Sequence, residues 1–373
     1  MKKALACLCS FVFLCFLPVF AEEPISAQAA ILMEASTGFV LFEKNADQPL
    51  PMASTTKILT ALAVCELCSP DEQVTVSAKA AATEGSRAYL QGGERLSVEQ
   101  LLYALLLSSG NDAAEALAEY AGKGSREDFL RVLNEKAAVW GLESTRLLNP
   151  SGLPEDGHES TARDMAQAAR LVLKQPLLRK IVGTKSFSFS SQSGQQHILS
   201  NHNSLLRTYP YATGMKTGYT RAAGRCLVSS AMRDGIELIC VTLRDPDDWR
   251  DHAALLDLGF SRLFWVEVAK AGELAVSIPI AGGDRLSAVG ENRAGVRIPM
   301  PPEGLSLTSV LEAEPLLSAP IQKGQKIGSM LYLYNGTPVA RCDLCAVEEV
   351  SVSYSSVVRF RLDFERLLNF LLL

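Results

Sequence analysis

Ala30-Ile31-Leu32-Met33-Glu34-Ala35-Ser36-Thr37-Gly38-Phe39-Val40-Leu41-Phe42 reads as two short apolar runs broken by three turn residues. Runs of this length, bounded by glycine and hydroxyl residues, predict two buried strands joined as a hairpin. A second hairpin is written much later, where Cys226–Met232 and Ile236–Leu243 flank Arg233-Asp234-Gly235. Between the two lie helical patterns at Thr56–Leu67, Ser97–Leu107, Asp112–Tyr120, Arg126–Trp140 and Thr161–Leu173, several opened by a capping residue such as Ser97. Strands at both ends of a helical region imply an α+β unit. Its antiparallel sheet is assembled from the two ends of the region and covered by the helices.

After Gly259-Phe260 the pattern changes to short β-like pieces: Leu274–Ile280, Gly295–Pro299, Lys326–Tyr334 and Thr337–Arg341, the last two around the hairpin signal Asn335-Gly336. We read residues 22–268 as one domain, 269–351 as a small all-β domain and 352–373 as a tail. At the other end, Met1-Lys2-Lys3 precedes an apolar run to Phe20 and the small residue Ala21, which reads as an export leader over 1–21. The protein is therefore expected outside the cytoplasm. In the tail, Phe360, Phe364, Leu367, Leu368 and Leu371 recur at three- and four-residue steps beside charges, as in a helix lying on a membrane surface. The alternation of Arg361, Asp363 and Glu365 with Leu362 and Phe364 equally suits a terminal strand packed on the β domain. The apolar part is too short to span a bilayer.

A hydrophobic content of 48% with 21% charged residues is ordinary for a globular chain of 373 residues. With a net charge of −5, nothing in the sequence resembles a nucleic-acid footprint, and nucleic acid is not expected as a partner. Of nine cysteines, three lie in the leader. Cys65 and Cys68 are C-x-x-C spaced, but they continue an apolar helix and read as one more turn of a buried helix. Cys342 and Cys345 lie in a strand-like stretch of the other domain, so a shared four-sulfur site is not expected, and no metal is predicted.

Three short motifs carry chemistry. Ser54-Thr55-Thr56-Lys57 opens the first helical run, at a spacing that lets two side chains share a helix face. A serine hydroxyl is a weak nucleophile until a neighbour accepts its proton. A lysine can do so only if burial or a nearby positive charge favours its neutral form. Because the following helix is apolar all round, Lys57 is expected to be at least partly desolvated. Ser109-Gly110-Asn111 places a hydroxyl and an amide on an inter-helix loop. Lys216-Thr217-Gly218 puts a cation, a hydroxyl and a residue without a side chain directly before the second hairpin. Taken singly, each has a plainer reading: a cap followed by a solvated lysine, an ordinary turn before the next helix, and a solvated lysine at a strand end.

Together, in this order and on helix, inter-helix loop and strand, the motifs resemble the active-site signature shared by penicillin-binding proteins and serine β-lactamases. The opening Ala30-Ile31-Leu32-Met33-Glu34-Ala35-Ser36-Thr37-Gly38, Gly85-Ser86 with Gly93-Glu94, Asn149-Pro150-Ser151-Gly152-Leu153, His158 with Ser160-Thr161-Ala162, Asn201-His202-Asn203-Ser204-Leu205-Leu206 and Gly214-Met215-Lys216-Thr217-Gly218-Tyr219-Thr220 look like the D-alanyl-D-alanine carboxypeptidase family. The likeness runs from about Ala29 to Phe260, with a looser one beyond. It implies a β-lactamase/transpeptidase-like fold and no cofactor. It also implies a substrate, the peptidoglycan stem peptide ending in D-Ala-D-Ala, and β-lactams as covalent inhibitors. Carried over residue by residue, Ser54 attacks the carbonyl between the two D-alanines and Lys57 is its base. Ser109 and Lys216 relay a proton, and Asn111 orients Lys57. Thr217 and Lys216 meet the terminal carboxylate, Gly218 leaves room for substrate, and the N–H groups of Ser54 and Tyr219 hold the oxyanion.

One departure stands out. Many members carry a carboxylate-binding arginine where this chain reads Asp245-Pro246-Asp247-Asp248-Trp249-Arg250-Asp251, so that Asp248 takes the arginine's place and Arg250 or Arg244 is the nearby arginine left to substitute, neither being read as a site residue. His158 is read as a loop histidine bonded to backbone. A class A β-lactamase would need E-x-x-L-N, yet Thr145 stands at the glutamate position before Leu148-Asn149 and Glu143 falls two residues early. The remaining alternatives are an endopeptidase of the same specificity and a catalytically silent wall-binding protein.

Overall fold

The computed structural model describes residues 25–192, 194–301, 307–334 and 336–353. The stretch read as a leader, the tail from residue 354 onward and the hairpin residue Asn335 lie outside them.

The two predicted hairpins meet in one sheet. Its strands are β1 (Ala29–Glu34), β2 (Val40–Lys44), β3 (Ala212–Thr220), β4 (Gly224–Arg233) and β5 (Ile236–Leu243), in the order β2-β1-β5-β4-β3 with every pair antiparallel. β1 is buried along its whole length. Ile31 and Met33 face the main helical core, while Ala30 and Leu32 face the opposite cluster. A strand covered on both faces has no solvent side to mark with polar residues, which is why it reads as an unbroken apolar run.

Helices α1 (Lys57–Leu67), α2 (Val98–Leu107), α3 (Asn111–Ala121), α4 (Arg126–Val139), α5 (Ala162–Lys174) and α6 (Pro176–Gly183) contribute to the core on one face of the sheet. The last of the longer helices, α7 (Asp248–Arg262), packs Leu255, Leu256 and Phe260 onto the other face. Several starts are where the sequence places them: Ser97 and Gln100 form a reciprocal capping box on α2, and Ser125 and Thr161 cap α4 and α5.

α1 is buried on all sides from Lys57 to Val64. Its last turn corrects one expectation. Cys65 and Cys68 are only half-buried, and Leu67 is exposed, because the helix emerges from the core at Glu66. That carboxylate reaches solvent and pairs with Lys136 at 2.6 Å and the Trp140 indole at 3.0 Å. All six cysteines among the described residues are free thiols.

A β-rich C-terminal domain follows. Strand β6 (Phe264–Ala269), which runs across the expected boundary between residues 268 and 269, pairs with β9 (Val296–Met300). A six-stranded sheet runs β10-β12-β13-β8-β7-β11, built from β7 (Ala275–Ala281), β8 (Ser287–Asn292), β10 (Leu307–Glu312), β11 (Leu317–Ser318), β12 (Lys326–Tyr334) and β13 (Thr337–Ala346). The domain touches the first through Phe39 and Tyr334, whose rings lie 5.2 Å apart. No helix among the described residues is long and apolar enough to cross a membrane.

Candidate active site

Ser54 lies in a single 3₁₀ turn, Ala53–Thr56, that runs directly into α1. The turn is clamped from two sides. A Cβ on Gly152 would stand 1.9 Å from the Ala53 carbonyl oxygen, and one on Gly218 would stand 3.0 Å from the backbone nitrogen of Ser54. Only glycines let the loop after Pro150 and the edge strand β3 approach this closely. Ala53 itself is forced into the left-handed region at φ 48°, a strain the surrounding packing must hold.

Lys57 is the first residue of α1 and is fully buried. Its ammonium donates to Ser54 Oγ at 3.0 Å, to Asn111 Oδ1 at 2.8 Å and to the Ser151 carbonyl at 2.6 Å. The Asn111 amide donates in turn to the Glu84 carbonyl at 2.6 Å, which turns its oxygen toward the lysine. Burial, and next the charge of Lys216, hold the Lys57 amine well below the usual lysine range. Lys216 is buried on β3; burial pushes it down to about 7, and its Nζ donates to the Thr217 carbonyl at 2.7 Å.

A cleft of about 290 Å³ opens over these groups, lined by Ser54, Ser86, Ser109, His202, Thr217, Gly218, Tyr219, Arg225, Asp248 and Trp249. It brings together Ser54, Ser109, Thr217 and Gly218 from the three motifs and Tyr219 beside the last of them, with Lys57 and Asn111 bonded to each other next to Ser54. Ser109 sits in the left-handed region at φ 58° on the turn between α2 and α3. The loop carrying Ser86 is tied down by Asp112, whose carboxylate accepts from the N–H groups of Ala88 and Leu90. No hydrogen bond joins Ser109 to Lys216 among the described residues, so that leg of the expected relay is not preformed.

His158 bonds to backbone, as expected: its Nδ1 accepts from the Leu148 N–H at 3.0 Å. Its Nε2 also meets Thr56 Oγ1 at 2.9 Å, and Thr56 donates to the Ala53 carbonyl, so the ring braces the turn that carries Ser54. Burial lowers the ring to about 4, which keeps it neutral in this role. Thr145 is tied to Ser160 and Asp164, and Glu143 is exposed, so neither supplies a carboxylate to the cleft.

Arg225 and Trp249 were not picked out by the motifs. A signal for the first exists: the tight connection from Thr220 to Gly224 pairs Tyr219 directly with Arg225 across β3 and β4. A cation six residues after Tyr219 is thereby returned to the same place in the sheet.

A serine hydroxyl held against a buried amine, on an antiparallel sheet covered by helices, defines a serine-type acyl-transfer hydrolase. The chain belongs to the D-alanyl-D-alanine carboxypeptidase family, whose model matches residues 19–247. D-alanyl-D-alanine carboxypeptidase DacF of Bacillus subtilis is 32% identical over 88% of this chain and 87% of its own length. DacC of Escherichia coli is 34% identical over 93% and 92%. Among solved structures, penicillin binding protein 5 from Haemophilus influenzae superposes with a TM-score of 0.66 at 29% identity, covering 88% of this chain and 98% of that one. The protein is a serine-type carboxypeptidase of the penicillin-binding class.

Proposed function

We propose that this enzyme removes the terminal D-alanine from peptidoglycan stem peptides on the outer side of the cytoplasmic membrane, with Ser54 as nucleophile and β-lactams as covalent inhibitors. The observation that carries the reading is the set of partners around Lys57. Asn111 Oδ1 and the Ser151 carbonyl can only accept hydrogen bonds, so they take the two N–H groups of a neutral amine. The lone pair is then left facing Ser54 Oγ, which lies 3.0 Å away. The hydroxyl becomes the donor, and Lys57 takes its proton as Oγ attacks the carbonyl carbon between the two D-alanines.

The Ser54 and Tyr219 N–H groups hold the oxyanion, and Asn111 keeps the amine in place. The C–N bond then breaks. The leaving D-alanine receives the proton that Lys57 took, relayed through Ser109 and Lys216, which close on each other once substrate fills the cleft, and Thr217 and Gly218 form the wall beside the substrate. Water hydrolyses the ester on Ser54 with Lys57 again as base, releasing the shortened peptide and restoring the hydroxyl. The test is direct: Ser54→Ala should abolish both D-alanine release from a pentapeptide and covalent labelling by a β-lactam. A mutant that still takes the label would place the nucleophile elsewhere.

A further inference from the structure

The reaction acts on a C-terminal residue, so the cleft must receive a carboxylate as well as a scissile amide. Lys57 and Lys216 are buried, at 0% and 1% exposure, and each is already committed to carbonyl or amide oxygens. Burial lowers both amines toward neutrality. The remaining cation in the lining is Arg225.

Arg225 stands on β4 directly opposite Tyr219, and Thr217 lies two residues back along β3, so all three share one face of the strand pair. The guanidinium is fixed along one edge: Nε and Nη2 both donate to Asp248 Oδ1, at 3.0 and 2.5 Å. The indole of Trp249 lies under it, 5.6 Å away. Asp248 is buried, with its side chain 4% exposed, whereas the Arg225 side chain is 41% exposed. Nη1 takes no part in the pair. A planar fork with one edge pinned and the other accessible is suited to bind a carboxylate.

Position 248 is where the family resemblance looks for an arginine. Here that place on α7 carries the opposite charge and faces an arginine on the neighbouring strand. We propose that Arg225 receives the terminal carboxylate of the substrate, the guanidinium having moved from α7 to β4 with Asp248 and Trp249 as its support. Asp248 and Trp249 are positioning residues in this scheme.

The proposal rests on Ser54 being acylated in the same cleft, and the test keeps the two readings apart by comparing two acyl donors. One is a peptide ending in D-alanyl-D-alanine. The other is an N-acyl-D-alanine p-nitrophenyl ester, whose leaving group has no carboxylate. Arg225→Gln, which keeps an N–H for Asp248, should lower kcat/KM on the peptide by about 10- to 100-fold, mainly through KM, and change the ester reaction by less than about twofold. Adding Asp248→Arg to Arg225→Gln should recover much of the peptide activity by returning a guanidinium from the helix side. Equal losses on both donors would make Arg225 a structural prop, and no loss on either would remove it from substrate binding. In both cases the proposal fails, with melting temperatures showing whether the variants are folded. The Ser54 reading is judged separately, since Ser54→Ala should remove both activities.

Discussion

The chemistry proposed at Ser54 depends on an amine that burial strips of water. Lys57 is an ordinary lysine by composition, and only the all-round apolar helix behind it signals burial. Once it is buried, desolvation and the charge of Lys216 both favour the neutral amine. Lys57→Ala should cost about 10²- to 10⁴-fold in acylation while leaving reversible substrate binding in place. A near-normal acylation rate in stopped-flow β-lactam trapping would contradict the role of base. The pH profile follows from the same two groups. In the proposed mechanism activity should rise as Lys57 loses its proton and should fall again above about 7, where Lys216 loses the proton it is to deliver to the leaving amine. With the p-nitrophenyl ester, whose leaving group needs no proton, the alkaline limb should disappear; its persistence would show that Lys216 is not the acid.

At the scale of elements, the 3₁₀ turn of Ser54 is held by contacts from three separate segments. Gly152 and Gly218 both come close against it, and His158 ties Thr56 to the backbone at Leu148. Gly152 also has φ +87°, so Gly152→Ala meets both a left-handed backbone and an overlap with Ala53. The substitution should destabilise the protein by more than about 1 kcal/mol. It should also slow acylation of Ser54 by a larger factor than the melting shift alone explains. Comparing β-lactam acylation rate with thermal unfolding checks this; an intact rate would mean that the turn holds its shape without the clamp. The same close approach explains why K-T-G ends in glycine, a feature visible in sequence whose reason is the turn Met52–Ser54, against whose backbone a Cβ on Gly218 would press.

For the whole molecule, the enzyme unit and the β-rich domain each carry their own apolar clusters, and Phe39 against Tyr334 is a contact between them. The tail beyond residue 353 holds the apolar residues at helical spacing that suit a membrane surface. Removing Leu367 to Leu373 should shift the enzyme from the membrane fraction to the soluble one without loss of D-alanine release, as measured by fractionation and activity on the same preparations. A truncated protein that stays with the membrane, or that unfolds, would show that the tail serves the fold instead.

How much was legible from sequence follows from how local each signal is. Apolar period, caps and turn residues act within a few residues, so the two hairpins, helices α1 to α5 and their starts could be read directly, as could the three motifs from their order and spacing, whereas α6 and α7 were not among the helical patterns. Burial is a property of the assembled core. The sequence could not show that α1 leaves the core at Glu66, which left Cys65 and Cys68 half-buried rather than fully covered. It could show that Asp248 stands where an arginine was expected, but not what answers it. Arg225 and Asp248 meet only because β4 pairs with β3 in a particular register and α7 begins beside it. That meeting of a strand and a helix 23 residues apart is decided by tertiary packing, since nothing in the local sequence of either side chain specifies the other.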